Sequence, residues 1–209
     1  MTDPRYNALL IVLDRSGSMG FIRQPMIDAV TQIVREHGKQ PGLATVDLWL
    51  FDEVVEHAIH LGDPHEIDIR LEPRGSTALL DAVGLAVTHF KRSICSWPEH
   101  SRPSGVEVLV ISDGFDNASE QFTSDQVRAL IESRRDDDFW EFTFIGSEER
   151  AIFEAARMGF EAGRSLRFDA SEQGTRAMGD AISKRLRHGN DDQSAFAEGQ
   201  SRTTRSTRP

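Results

Sequence analysis

A single cysteine, Cys95, leaves the chain without a disulfide framework or a thiolate metal cluster. No apolar stretch approaches ~18 residues, so the sequence holds no membrane-spanning helix. Its opening, MTDPRYNALLIVLD, places an acid and a proline before a short apolar run and lacks the basic start and cleavage site of a signal peptide. The expected location is therefore the cytoplasm. Positive charge is also scarce: 24 Lys and Arg stand against 34 Asp and Glu, for a net charge of −10. That balance argues against general binding to nucleic acid or to anionic membranes and suits a protein that attracts cations. Only Lys39, Lys91 and Lys184 are lysines, and no Gly-Lys-Ser/Thr loop exists, which excludes P-loop nucleotide binding.

What the sequence does have is 209 residues, 38% of them hydrophobic and 28% charged. At that length roughly 70% of the unfolded chain's surface can be buried, so a core forms without covalent or metal staples. Residues 8–13 (ALLIVL) form an unbroken apolar run, as a parallel strand buried on both faces requires. From Ile22 to His37 the apolar residues fall at helical spacing, and Gly38 ends the pattern. Residues 44–51 and 54–61 read as strands joined by Asp52 and Glu53 alone, a link so short that the pair must be antiparallel. A loop over 62–76 precedes a helix over 77–94, then a buried strand over 106–112 ending at Asp113. A helix over 124–135 with Ser124 as its cap, a strand over 139–145, a helix over 148–159, a short strand over 165–169 and a helix over 171–187 complete the pattern. After Gly189 the apolar content nearly vanishes, and residues 189–209 are expected to be a disordered tail on a domain spanning 1–188.

Strands alternating with helices predict an α/β fold: a doubly wound, Rossmann-like, mostly parallel sheet with one antiparallel edge strand and helices on both faces. In such sheets ligands bind beyond the carboxyl ends of the strands, where strand order reverses. Two apolar strands end at Asp14 and Asp113, and if they are neighbours their carboxylates meet at one crevice. Ser16 and Ser18 follow the first, and Thr77 precedes a helix. Every donor in this set is a hard oxygen, the kind that divalent cations such as magnesium prefer. Gly17, between the serines, relieves crowding on their turn. A turn-forming role for Asp14 and a helix-capping role for Thr77 are the plainer readings of those residues taken singly.

Asp14-x-Ser16-x-Ser18 after strand 1, Thr77 before a later helix and Asp113 after the next central strand resemble the metal-ion-dependent adhesion site of von Willebrand factor A domains. The likeness runs over residues 6–188. It implies that the two serines, and often the threonine, touch the ion directly while the two aspartates act mainly through water. Magnesium is the expected ion, with manganese and calcium as alternatives, and an acidic residue of a partner protein is expected to fill the last coordination position. Stand-alone bacterial members of the family are thought to be adaptors to larger assemblies.

The enzymatic alternative is a phosphatase of the haloacid-dehalogenase type, which also opens with an apolar strand ending in aspartate. Its chemistry needs a second acid two residues on, where this chain has Ser16. A serine-hydrolase elbow fails at the same residue, because Gly-x-Ser-x-Gly around Ser18 would need glycine there. The expectation is a binding module with no catalytic residue. Asp52, Asp116 and Asn117 read as turn residues, and the Phe139–Trp140–Phe142–Phe144 group as core. His57 and His60 should lie on opposite faces of an edge strand, where they could not share a metal.

Overall fold

The structure, a computed structural model, describes residues 2–188. The tail expected over 189–209 lies outside the described residues. The chain opens with strand β1 (Asp3–Asp14) and passes through a 3-10 turn (Gly17–Ile22) into helix α1 (Arg23–His37). Strands β2 (Leu43–Phe51) and β3 (Val55–Gly62) precede helix α2 (Leu79–Cys95) and strand β4 (Pro103–Ser112). Helix α3 (Ser124–Asp138), strand β5 (Glu141–Gly146), helix α4 (Glu149–Arg157), strand β6 (Ser165–Arg167) and helix α5 (Glu172–His188) follow. The six strands form one sheet in the order β3-β2-β1-β4-β5-β6, and β3 alone runs antiparallel. This is the expected α/β architecture.

The packing follows from the alternation of side chains along β1. Tyr6, Ala8, Leu10 and Val12 face a core closed by α2, α3 and α4. Leu9, Ile11 and Leu13 face the opposite core, closed by α1 and α5. Burial on both faces is what an all-apolar run demands of a central parallel strand. β3, with one face exposed, is the sheet's edge. Chain order reverses at β1: β2 pairs on one side and β4 on the other, in the register Leu13↔Ile111. Asp14 and Asp113 therefore emerge side by side at the switch point.

Four local expectations need correction. Helix α3 is capped by Thr123, which makes a capping box with Gln126, whereas Ser124 is the first helical residue. Helix α2 starts after Ala78, so Thr77 does not cap it; its Leu80 N–H is satisfied instead by Asp116 Oδ1 at 3.2 Å. Phe139 is not core: it ends α3 in the left-handed region at φ 58° and is 81% exposed, while Trp140, Phe142 and Phe144 are buried. His57 and His60 share a face. The β2–β3 register shifts around Leu48, and Leu61 sits at φ 47°, so strict alternation fails there and both imidazoles meet Asp47.

Candidate metal centre

Asp14 closes β1 with its side chain fully buried. One carboxylate oxygen accepts the Ser16 N–H at 2.6 Å, folding the chain back over the strand end. The other accepts the hydroxyl of Ser112, the last residue of β4, at 2.6 Å. The Ser16 and Ser18 hydroxyls lie 3.1 Å apart, and Ser18 donates to Asp113 Oδ1 at 2.8 Å. Four of the five predicted residues thus form one continuous chain of short contacts. The fifth, Thr77, is buried and lines the same hollow of about 430 Å³ as Ser18 and Asp113. Its backbone is clasped by Asn117, whose side-chain oxygen accepts the Thr77 N–H at 2.8 Å and whose N–H donates to the Thr77 carbonyl at 2.9 Å.

Three loops meet here, and residues that sequence reasoning passed over hold them. Asp52, expected as a turn residue, is buried and accepts Arg15 Nε and Arg74 Nε, each at 2.8 Å, and the Val54 N–H at 2.7 Å. It ties the serine loop to the loop that carries Thr77. Asp81, in the first turn of α2, accepts the N–H groups of Glu120, Gln121 and Phe122 at 2.8–2.9 Å and fixes the loop beyond Asp113. Arg15 directly after Asp14, and an acid in a two-residue link, were the available signals for Asp52; nothing local signals Asp81.

The glycine with a steric role is also not the expected one. A Cβ on Gly17 would only touch the Gly75 carbonyl, at 3.6 Å. Gly75 itself takes φ 65°, and a Cβ there would lie 2.0 Å from the Glu53 carboxylate, which accepts the neighbouring Ser76 N–H.

Burial pushes the Asp14 carboxyl up to about 6, against the lowering effect of the Ser112 and Ser16 hydrogen bonds. Asp113 is raised as well, chiefly by burial, with its bond from Ser18 pulling the other way. Burial also disfavours ionised Asp52, but the Val54 N–H and the two arginines outweigh it and hold that carboxyl below its ordinary value. Asp52 has cations beside it; among the described residues Asp14 and Asp113 are bonded by hydroxyls and N–H groups instead. Two buried acids flanked by three hydroxyls are a donor set of hard oxygens with unbalanced negative charge, and a divalent cation fits it. The rim is mixed: Phe21, 96% exposed, and Phe115, 42% exposed, share it with the exposed Glu148.

No protein-family model matches the chain, and no curated protein matches it in sequence. Solved structures do match in fold. Proximal thread matrix protein 1 from the mussel byssus superposes with a TM-score of 0.65 at 14% identity, over 88% of this chain and 46% of that one. The chain thus spans about half the length of the mussel protein. The PilB minor pilin from Streptococcus sanguinis gives 0.63 at 11% identity, over 93% of this chain and 63% of that one. Manganese-loaded TRAP protein from Plasmodium vivax gives 0.61 at 14% identity, over 88% and 74%. The fold is of the von Willebrand factor A type.

Proposed function

We propose that this chain is a divalent-cation-dependent protein-binding module with no catalytic role. Asp14, Ser16, Ser18, Thr77 and Asp113 would hold the ion, magnesium or manganese. When bound, the ion supplies a Lewis-acidic position that a carboxylate of a partner protein can occupy. The observation that carries this reading is the run of contacts Ser112–Asp14–Ser16–Ser18–Asp113, which gathers both acids and both hydroxyls at the switch point, with no cationic side chain among the described residues bonded to the two acids. Asp14 and Asp113 carry the charge, Ser18 keeps Asp113 turned inward, and Ser112 fixes the rotamer of Asp14. Phe21 and Phe115 offer apolar surface beside the mouth, so a partner would bury them while placing its acid in the hollow. Manganese in the TRAP structure, on the same fold, agrees with this donor chemistry.

The phosphatase alternative gains nothing from the geometry. Ser16 occupies the position of the required acid, and Lys91 is ion-paired with Asp138 at the end of α3. Titration calorimetry tests the proposal: the wild type should bind Mn2+ or Mg2+ at one equivalent, and Asp14→Ala with Asp113→Ala should abolish it. Capture of a partner that proceeds equally well in chelator would remove the ion from the mechanism.

A further inference from the structure

A second group of ligating side chains lies away from the switch point. Asp47, in the middle of β2, is 1% exposed and faces the edge strand. Its Oδ1 is 2.9 Å from His57 Nε2 and its Oδ2 is 3.0 Å from His60 Nδ1. The carboxylate is held from behind by Trp49 Nε1–H at 2.8 Å and by the Leu61 N–H at 3.2 Å. The ligand atoms of Asp47, His57 and His60 all lie within 4.8 Å of one another. A third imidazole, His89, reaches the cluster from α2, with its ring centre 4.9 Å from that of His57 and 6.0 Å from that of His60. The His57–His60 separation is 5.1 Å.

We propose that Asp47, His57 and His60, with His89 beside them, form a binding site for a first-row transition ion, Zn2+ by preference. Imidazoles sharing one tetrahedral zinc at ~2.0–2.1 Å hold their ring centres about 5 Å apart, and neighbouring ligand atoms sit about 3.4 Å apart. The separations of His57 from His60 and from His89, 5.1 and 4.9 Å, match the first figure, and the ligand atoms of Asp47, His57 and His60, all within 4.8 Å of one another, need shift by about 1.4 Å at most to meet the second. Two imidazoles and a carboxylate, with a third imidazole adjacent, form a borderline donor set that selects zinc, cobalt or nickel over magnesium or calcium, the reverse of the all-oxygen site. Trp49 Nε1 and the Leu61 N–H supply the outer hydrogen bonds that orient a ligating carboxylate. Trp49 also stacks on His57 at 4.2 Å with an interplanar angle of 9°, which fixes that ring. His60 and His89 are exposed, which gives the ion a route in from solvent.

The site is independent of the proposed cation site. Asp47 pairs with Leu10, four residues before Asp14, so the two lie about 13 Å apart along the strand direction at ~3.3 Å per residue. A bound ion would clamp the edge strand β3 to β2.

Cobalt titration of the full chain tests this. Co2+ should give an intense tetrahedral visible band that saturates at one equivalent and is bleached by Zn2+. The band should survive Asp14→Ala with Asp113→Ala and disappear in His57→Ala with His60→Ala. The exposed single variant His60→Ala, checked for native circular dichroism, should weaken Co2+ binding at least tenfold while leaving Mn2+ binding at the other site unchanged. No tetrahedral band in the wild type, a band that persists in the histidine variants, or a band lost with Asp14 and Asp113 would each overturn the proposal.

Discussion

Asp14 has two opposed obligations. Its carboxyl is buried and raised to about 6, so in the metal-free protein its ionisation weakens the fold. A folded value above the unfolded one of 3.8 means the contribution is fully present below about pH 4 and is lost as pH rises through 6. Asparagine keeps the shape, can still accept the Ser16 N–H, and lets the Ser112 hydroxyl turn round to accept. Asp14→Asn should therefore raise the melting temperature in chelator at pH 7.5 while losing Mn2+ binding. A variant less stable than the wild type under those conditions would show that the charge is compensated within the fold. A binding residue whose removal stabilises the scaffold is the expected signature of a site tuned for a ligand rather than for stability.

Elements matter chiefly through the loops that join them. Asp52 is the tie between the serine loop and the Thr77 loop, and removing it strands Arg15, which is 6% exposed. Arg15 also has Glu56 at 2.5 Å, on the half-exposed side, which does not replace a buried partner. Asp52→Ala should cost about 3 kcal/mol by denaturant titration, within the range for breaking a buried pair. It should also weaken cation binding although Asp52 touches none of the five site residues' side chains in the contacts described. Most of this level was legible beforehand. The two-residue Asp52–Glu53 link fixed the antiparallel edge, the apolar runs ending at Asp14 and Asp113 fixed the switch point, and the motif order brought Thr77 to them. What was not legible depends on partners distant in sequence. Asp81 is pinned by three N–H groups some forty residues away. The cap of α3 belongs to Thr123 because Gln126 answers it, and a hydroxyl at 123 or 124 would satisfy the same local rule. His60 joined His57 because a register shift and one left-handed residue, Leu61, broke the alternation from which opposite faces followed.

The whole molecule feels two buried groups of opposite sign over one pH range. His37, at the end of α1, is buried, and its pKa is lowered to about 4 by burial, against the hydrogen bond between its Nε2 and the Thr45 carbonyl. Its folded value lies below the unfolded 6.5, so the fold loses stability as pH falls from 6.5 toward 4, by up to about 3 kcal/mol. Over nearly the same interval Asp14 regains its proton and returns a comparable amount. The two terms offset each other, and the metal-free wild type should show a shallow stability profile between pH 4 and 6.5 on these two counts. Asp14→Asn uncovers the histidine: its unfolding free energy in chelator should fall more steeply with acidification than that of the wild type. Parallel profiles for the two proteins would exclude the pairing.

The position of the proposed cation site at the ends of β1 and β4 has a mechanical corollary. A partner held there would pull along the axes of strands that are bonded on both sides, β1 between β2 and β4, and β4 between β1 and β5. Parallel ladders loaded lengthwise share the strain across the register from Ala8 to Leu13 at once, instead of parting one bond at a time as a peeled edge does. Such a grip would sit where the sheet resists shear best, with the edge strand β3 outside the load path.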